Sequence, residues 1–84
     1  MARGTIRYWA AARAAAGVES EPYEAATLAE ALHSAGAARD AEFARVVARS
    51  SFLVDGTPVG TRPHDSVALR DGAVIEVLPP FAGG

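Results

Sequence analysis

The sequence predicts an α+β fold, in which one main helix and a short second helix pack on a mixed sheet of four to five strands. Three observations lead to this prediction: alternating apolar stretches near both ends of the chain, a capped amphipathic helix between them, and an Asp-Gly turn flanked by short strands. The chain has 84 residues, enough for one small domain. We expect that domain over 1–78 and an extended C-terminal arm over 79–84.

The N-terminal part of the chain predicts a hairpin. Alternation over 5–10 indicates a strand with Ile6 and Tyr8 on one face and Trp9 on the other. A weaker strand over 19–24 can pair with it, and its proline marks it as an edge strand. The alanine-rich stretch between the two strands predicts a short helical turn that a glycine ends.

The main helix is predicted to begin at Thr27, because its hydroxyl can accept a bond from a free N–H of the first turn while Glu30 reaches back. Leu28, Leu32 and Ala35 recur at helical spacing, so they form its apolar stripe.

A second helical segment begins at Asp40, whose carboxylate is a good N-cap. This segment could equally continue the main helix after a kink. Three arginines in this region are expected to form a solvated helical face, although some of them could pair with an acidic partner: Arg39, Arg45 and Arg49.

The C-terminal half predicts the remaining strands. A strand over 51–54, an Asp-Gly turn and a return over 57–59 form a short hairpin. The last strand is predicted over 73–78, with Ile75 and Val77 on one face. This order of elements is the β-grasp arrangement, in which the first and last strands lie parallel at the centre of the sheet.

The sheet face opposite the helix is predicted to carry an apolar docking patch, formed by Trp9, Val74 and Leu78. Trp9 could equally shield the edge of the small core.

The C-terminal arm is the most unusual stretch of the sequence. Pro79 and Pro80 fix φ and lack an N–H, so they stiffen the exit from the last strand instead of extending the ladder. Gly83 and Gly84 lack a Cβ and can enter a narrow channel. Fully extended, 79–84 reaches roughly 20 Å. The terminal carboxylate of Gly84 is therefore predicted to be the functional group.

Phe81 is the bulky group of the arm and is expected to fill a pocket in a partner, with Ala82 as a spacer. The alternatives are that Phe81 folds back on its own domain, or that the whole arm is an inert flexible tail.

The amino-acid composition argues against several classes of function. The chain contains no cysteine and two histidines far apart in sequence, so we expect no metal site and no bound cofactor. Its formal net charge of −2 argues against nucleic-acid binding. The apolar runs are too short to span a membrane, and a cytoplasmic location is expected.

The chain resembles the MoaD/ThiS family of ubiquitin-like sulfur carriers, and within it the small subunits of molybdopterin synthase. The resemblance spans essentially the whole chain and is loosest in the second strand and in the region between helix and third strand. The residues that carry it are Trp9-Ala10-Ala11-Ala12-Arg13 with Gly17, Thr27-Leu28, Leu69-Arg70-Asp71-Gly72 and Pro79-Pro80-Phe81-Ala82-Gly83-Gly84.

The resemblance implies a covalent function for Gly84. An adenylating enzyme of the ubiquitin-activating type would use ATP to convert the Gly84 carboxylate to an acyl-adenylate, and a sulfur donor would convert that to a thiocarboxylate. The large subunit of molybdopterin synthase would supply the active site. The chain itself would then be a sulfur-donating, non-catalytic subunit.

Three alternatives stay open at this point. A sulfur carrier for thiazole, cysteine or a secondary metabolite would use the same terminal chemistry. A ubiquitin-like modifier would instead be conjugated to protein lysines, and a pure interaction module would leave the tail inert.

Overall fold

The computed structural model describes residues 1–80. In chain order its elements are β1 (Ala2–Tyr8), α1 (Ala10–Ala16), β2 (Ser20–Ala25), α2 (Leu28–Gly36), α3 (Ala41–Ala48), β3 (Ser51–Val54), β4 (Thr57–Pro58), a 3₁₀ turn (His64–Ser66) and β5 (Val74–Leu78).

The five strands form one mixed sheet in the order β2-β1-β5-β3-β4. β1 pairs in parallel with β5, and the other neighbours are antiparallel. The predicted β-grasp fold is therefore confirmed, with the last strand at the centre of the sheet and the first strand beside it.

The core lies between the sheet and the helices. From the sheet, Ile6, Tyr8, Ile75 and Val77 are at most 1% exposed, as the alternation predicted. The Tyr8 ring meets the Phe43 ring of α3 edge to face, with centroids 5.8 Å apart. An edge-to-face pair of this kind adds to the stabilisation that burial alone gives.

The helix starts follow the capping residues of the sequence. The Glu30 N–H donates to Thr27 Oγ1 at 3.2 Å, and the Glu30 carboxylate reaches back one residue farther than expected, to the Ala26 N–H at 3.0 Å. Asp40 Oδ1 accepts from the Phe43 N–H at 3.1 Å. Because Asp40 makes its own cap, α3 is a separate helix and does not continue α2.

Two details of the elements differ from the expectation. The stretch after the first strand forms a complete helix, α1, whose Ala12 is fully buried. In α2 the buried positions are Leu28, Ala31 and Ala35, while Leu32 is half-buried.

The predicted solvated arginine face is wrong for Arg39. This residue lies between α2 and α3, outside either helix, and its side chain is 18% exposed. The reason is an ion pair with Glu21, which lies 18 residues earlier in sequence and which helical spacing cannot reveal. Arg45 and Arg49 are exposed, as expected.

The Asp55-Gly56 turn lies at the end of the sheet that is away from the C-terminal arm. Asp55 and Gly56 both have positive φ, 50° and 79°, as the predicted tight turn requires. Asp55 Oδ1 also accepts from the Val74 N–H at 2.8 Å, which ties this turn to the start of β5.

None of the helices within residues 1–80 is long and apolar enough to cross a membrane.

Candidate functional site

The candidate site is the end of β5, where the chain leaves the sheet. Leu78 pairs with Ser51 of β3 on one side. On the other side, the Trp9 N–H donates to the Val77 carbonyl at 3.2 Å. Pro79 is buried and Pro80 is exposed. The last strand is thus held from both sides as far as Val77 and by β3 at Leu78, and exposure begins at Pro80, the second residue of the predicted arm.

The remaining residues assigned to the arm, Phe81, Ala82, Gly83 and Gly84, lie outside the described residues. Their roles stay predictions.

Of the residues predicted to form a docking patch on the open face of the sheet, Trp9 and Leu78 lie beside this exit, whereas Val74 lies at the opposite end of β5, next to the Asp55 turn. Trp9 is 40% exposed, and Val74 and Leu78 are half-buried. The strand register places Leu78 beside Ser51, and Glu76 between Arg7 and Leu53.

Two polar neighbours hold the Trp9 side chain, and sequence reasoning missed both of them. The indole Nε1–H donates to Glu76 Oε1 at 3.1 Å. The guanidinium carbon of Arg7 lies 4.9 Å from the centre of the indole ring, within the range of a cation–π contact. An aromatic side chain already fixed in this way loses little entropy when a partner binds it. The alternation of β1 places Arg7 and Trp9 on one face, but only the parallel pairing with β5 brings Glu76 to them.

On the covered side of the sheet, the same end of β1 carries a polar cluster. The Tyr8 hydroxyl bonds to the Glu21 carboxylate, which also pairs with Arg39. Burial, followed by the bond to Glu21, raises the pKa of the Tyr8 phenol above its usual value. The bond to Glu21 also raises the pKa of Arg39. The phenol is therefore a neutral donor and the guanidinium a permanent cation at physiological pH.

A separate apolar groove of about 860 Å³ lies on the helix side, between α2, α3 and β3. Its floor includes Phe43 and Phe52, and His64 packs edge to face on Phe52 with ring centres 4.9 Å apart. His64 thus serves as packing in its loop. Among residues 1–80 there is no group of three His, Cys, Asp or Glu side chains placed to hold a metal ion.

A β-grasp domain whose central strand is followed in sequence by residues 79–82 and then Gly83-Gly84 is typical of ubiquitin-like carriers and modifiers. The ThiS family model matches residues 6–84, almost the whole chain, and the chain belongs to the ThiS family. The family resemblance inferred from the motifs is therefore confirmed. A search of curated proteins found no match.

Solved structures with the same fold include a small archaeal modifier protein and subunits of molybdopterin-converting factor. Small archaeal modifier protein 1 from Methanosarcina acetivorans is 22% identical, with a TM-score of 0.84 over 100% of this chain and 98% of that one. A candidate molybdopterin converting factor subunit 1 from Pyrococcus furiosus is 24% identical, with a TM-score of 0.78 over 96% and 100%.

A third similar structure contains two proteins. It is a complex of subunits 1 and 2 of molybdopterin-converting factor from Helicobacter pylori, and the matching chain is 18% identical, with a TM-score of 0.69 over 98% of this chain and 99% of that one. At these identities the three likenesses establish the fold.

Proposed function

We propose that this chain is a sulfur carrier, whose Gly84 carboxylate is adenylated and converted to a thiocarboxylate that donates sulfur in molybdopterin biosynthesis. In this role it is the small subunit of a molybdopterin synthase. The observation that carries the proposal is the ThiS family match, which extends through Gly84 at the end of an arm mounted on the central strand.

Activation is needed because of the chemistry of the carboxylate. A C-terminal carboxyl group has a pKa of about 3.3–3.7, so at neutral pH it is an unreactive anion. One carboxylate oxygen attacks the α-phosphorus of ATP, and pyrophosphate leaves. A sulfur nucleophile at the oxidation level of hydrosulfide then attacks the acyl carbon, and AMP leaves with the C–O bond electrons. The ATP belongs to the activating enzyme, and no resident cofactor is proposed for this chain.

The described residues support delivery of the arm into a partner. Val77 is held between β1 and β3, and Leu78 still pairs with β3, so the arm starts from a rigid element. Trp9 and Leu78 beside the exit, with Val74 farther along the same face at the start of β5, offer a surface on which a partner can dock. The proposed partners are an adenylating enzyme, a sulfur donor and the large subunit, in whose pocket Phe81 is seated.

A second candidate function is conjugation to other proteins as a ubiquitin-like modifier. The similarity to the archaeal modifier, with its TM-score of 0.84, favours this candidate. A sulfur carrier for thiazole, cysteine or a secondary metabolite would share the same activation step.

Reconstitution separates these candidates. The chain is incubated with its adenylating enzyme, ATP and a sulfide donor, and then with the large subunit and cyclic pyranopterin monophosphate. We expect the intact mass to increase by the difference between sulfur and oxygen, followed by formation of molybdopterin. A chain lacking Gly84 is the control and should gain nothing. Sulfur loading without molybdopterin would assign another pathway, and an isopeptide bond from Gly84 to lysine would assign a modifier.

A further inference from the structure

Behind the exit of the arm, three polar side chains from separate parts of the chain form one network: Tyr8, Glu21 and Arg39. Arg39 Nη1 and Nη2 donate to the two Glu21 oxygens at 2.7 and 3.2 Å. The Tyr8 hydroxyl donates to the same carboxylate. The side chains of Arg39 and Glu21 are 18% and 25% exposed, and Tyr8 is 1% exposed. A bidentate pair with so little exposure holds a defined geometry.

Arg39 also joins the three helices. Its Nε donates to the Ala16 carbonyl at the end of α1, at 3.2 Å. Its Nη1 donates to the Ala35 carbonyl in the last turn of α2, at 2.7 Å. The guanidinium carbon lies 5.0 Å from the centre of the Phe43 ring in α3. One side chain therefore fixes the three helices against the end of β1.

The network reaches the arm through the backbone. Tyr8 is the register partner of Val77 in the parallel ladder, and the next N–H, that of Trp9, donates to the Val77 carbonyl. Val77 is followed by Leu78 and the buried Pro79. Holding the Tyr8 side chain thus holds the strand end from which the chain leaves the sheet.

We infer that Arg39 is a positioning residue for the C-terminal arm, and that it acts through Glu21 and Tyr8 on the direction in which the chain leaves β5. This inference rests on the proposed function, since direction matters only if the arm must enter a partner. When the competent direction is populated in only a fraction of molecules, the apparent affinity for the partner falls by that fraction. The rate within the bound complex is unchanged.

A double variant separates positioning from stability. Replacing both members of a buried ion pair by apolar residues is often neutral or stabilising, whereas removing one member leaves a buried charge unpaired. Glu21→Leu/Arg39→Met is therefore expected to stay folded and to leave the Tyr8 hydroxyl without its acceptor. Tyr8→Phe removes the same link with the smallest change in shape.

The control is Val67→Ala, which shortens a buried side chain at the other end of the sheet, where the Val67 carbonyl accepts from the Leu28 N–H. We expect the double variant and Tyr8→Phe to raise KM for adenylation roughly 3- to 30-fold with kcat unchanged, and Val67→Ala to leave both constants unchanged. The Trp9 amide hydrogen should also exchange faster with solvent in the two network variants, by NMR, relative to other core amides.

Two results would overturn the inference. The first is a folded network variant whose KM for adenylation and whose Trp9 amide exchange rate both equal those of the wild type. The other is an equal rise of KM in Val67→Ala, because the effect would then follow stability alone. If the double variant does not fold, the KM and the Trp9 exchange rate of Tyr8→Phe decide whether the inference holds. If the wild type is not adenylated at all, the proposed function fails, and the Trp9 exchange rate still tests the mechanical link.

Discussion

At the scale of single residues, Gly4 and Ala10 are two positions in or next to β1 where the backbone is tightly constrained. Gly4 lies beneath the bond that the Tyr23 hydroxyl donates to the Ala73 carbonyl, at 3.0 Å. Ala10 begins α1 with a φ of 47°, a left-handed conformation that an L-residue adopts at a cost. Both positions lie in or next to the strand that holds β5. Substitutions at these sites therefore test the part of the domain that holds β5, from which the arm leaves.

Gly4→Ala should lower the free energy of unfolding by about 3 kcal/mol, because the new methyl group would overlap the Ala73 carbonyl and lie 2.5 Å from the Tyr23 hydroxyl. Urea denaturation measures the change. Gly36→Ala is the matched control, since a methyl group there would lie 3.9 Å from Phe43, an ordinary contact. A Gly4→Ala protein as stable as the wild type would show that this close approach is absent.

Ala10→Gly should raise the free energy of unfolding by about 1 kcal/mol, since glycine adopts positive φ without the strain that alanine meets. Ala14→Gly, at an exposed interior position of the same helix, should lower it by about 1 kcal/mol. Thermal and urea unfolding of the pair provide the comparison. If both variants lost stability, α1 would not begin with the backbone described here.

At the scale of elements, the stability of α3 depends on the Asp40 N-cap, and binding by the open sheet face depends on the Trp9 indole. Asp40 separates α3 from α2, which leaves Arg39 in the link between them. On the other side of the sheet, Glu76 of β5 and Arg7 of β1 hold Trp9 beside the exit. The cap thus bears on stability and the sheet face on binding.

Asp40→Ala should cost about 1 kcal/mol of unfolding free energy, the usual effect of removing an N-cap side chain. Asp65→Ala serves as the control, because Asp65 is exposed and its carboxylate accepts no protein hydrogen bond within residues 1–80. Its effect should stay within about 0.5 kcal/mol. Equal losses in the two variants would indicate a general charge effect and not a cap.

Trp9→Ala should weaken binding to the large subunit by about 2 kcal/mol, the size of an interface hot spot, with little change in folding stability. Calorimetric titration measures this affinity. Val18→Ala removes apolar surface from a side chain that is also 40% exposed but lies off the sheet, and should bind normally. An unchanged affinity for Trp9→Ala would move the docking surface elsewhere.

At the scale of the whole molecule, the parts that could be predicted are those with local causes. Alternation in 73–78 predicted which residues of β5 are buried, and the capping residues Thr27 and Asp40 predicted two helix starts. Arg39 was misplaced because its partner Glu21 is distant in sequence. The anchoring of Trp9 by Glu76 spans 67 residues and exists only after β1 and β5 pair. Local patterns predict elements, and the contacts that tune the site arise from tertiary pairing.

The function proposed for the C-terminal arm depends on its length. A terminal carboxylate that must reach a reacting centre from a rigid strand depends on the number of residues beyond that strand. An inert tail has no such dependence.

The most direct measurement is therefore the intact mass of the wild-type chain and of a chain with one alanine added after Gly84, each incubated with the adenylating enzyme, ATP and a sulfide donor. The two should unfold at the same urea concentration. Our account predicts that only the wild-type chain exchanges one oxygen for sulfur. Sulfur loading of the extended chain to the same extent, or its absence in both chains, would contradict it.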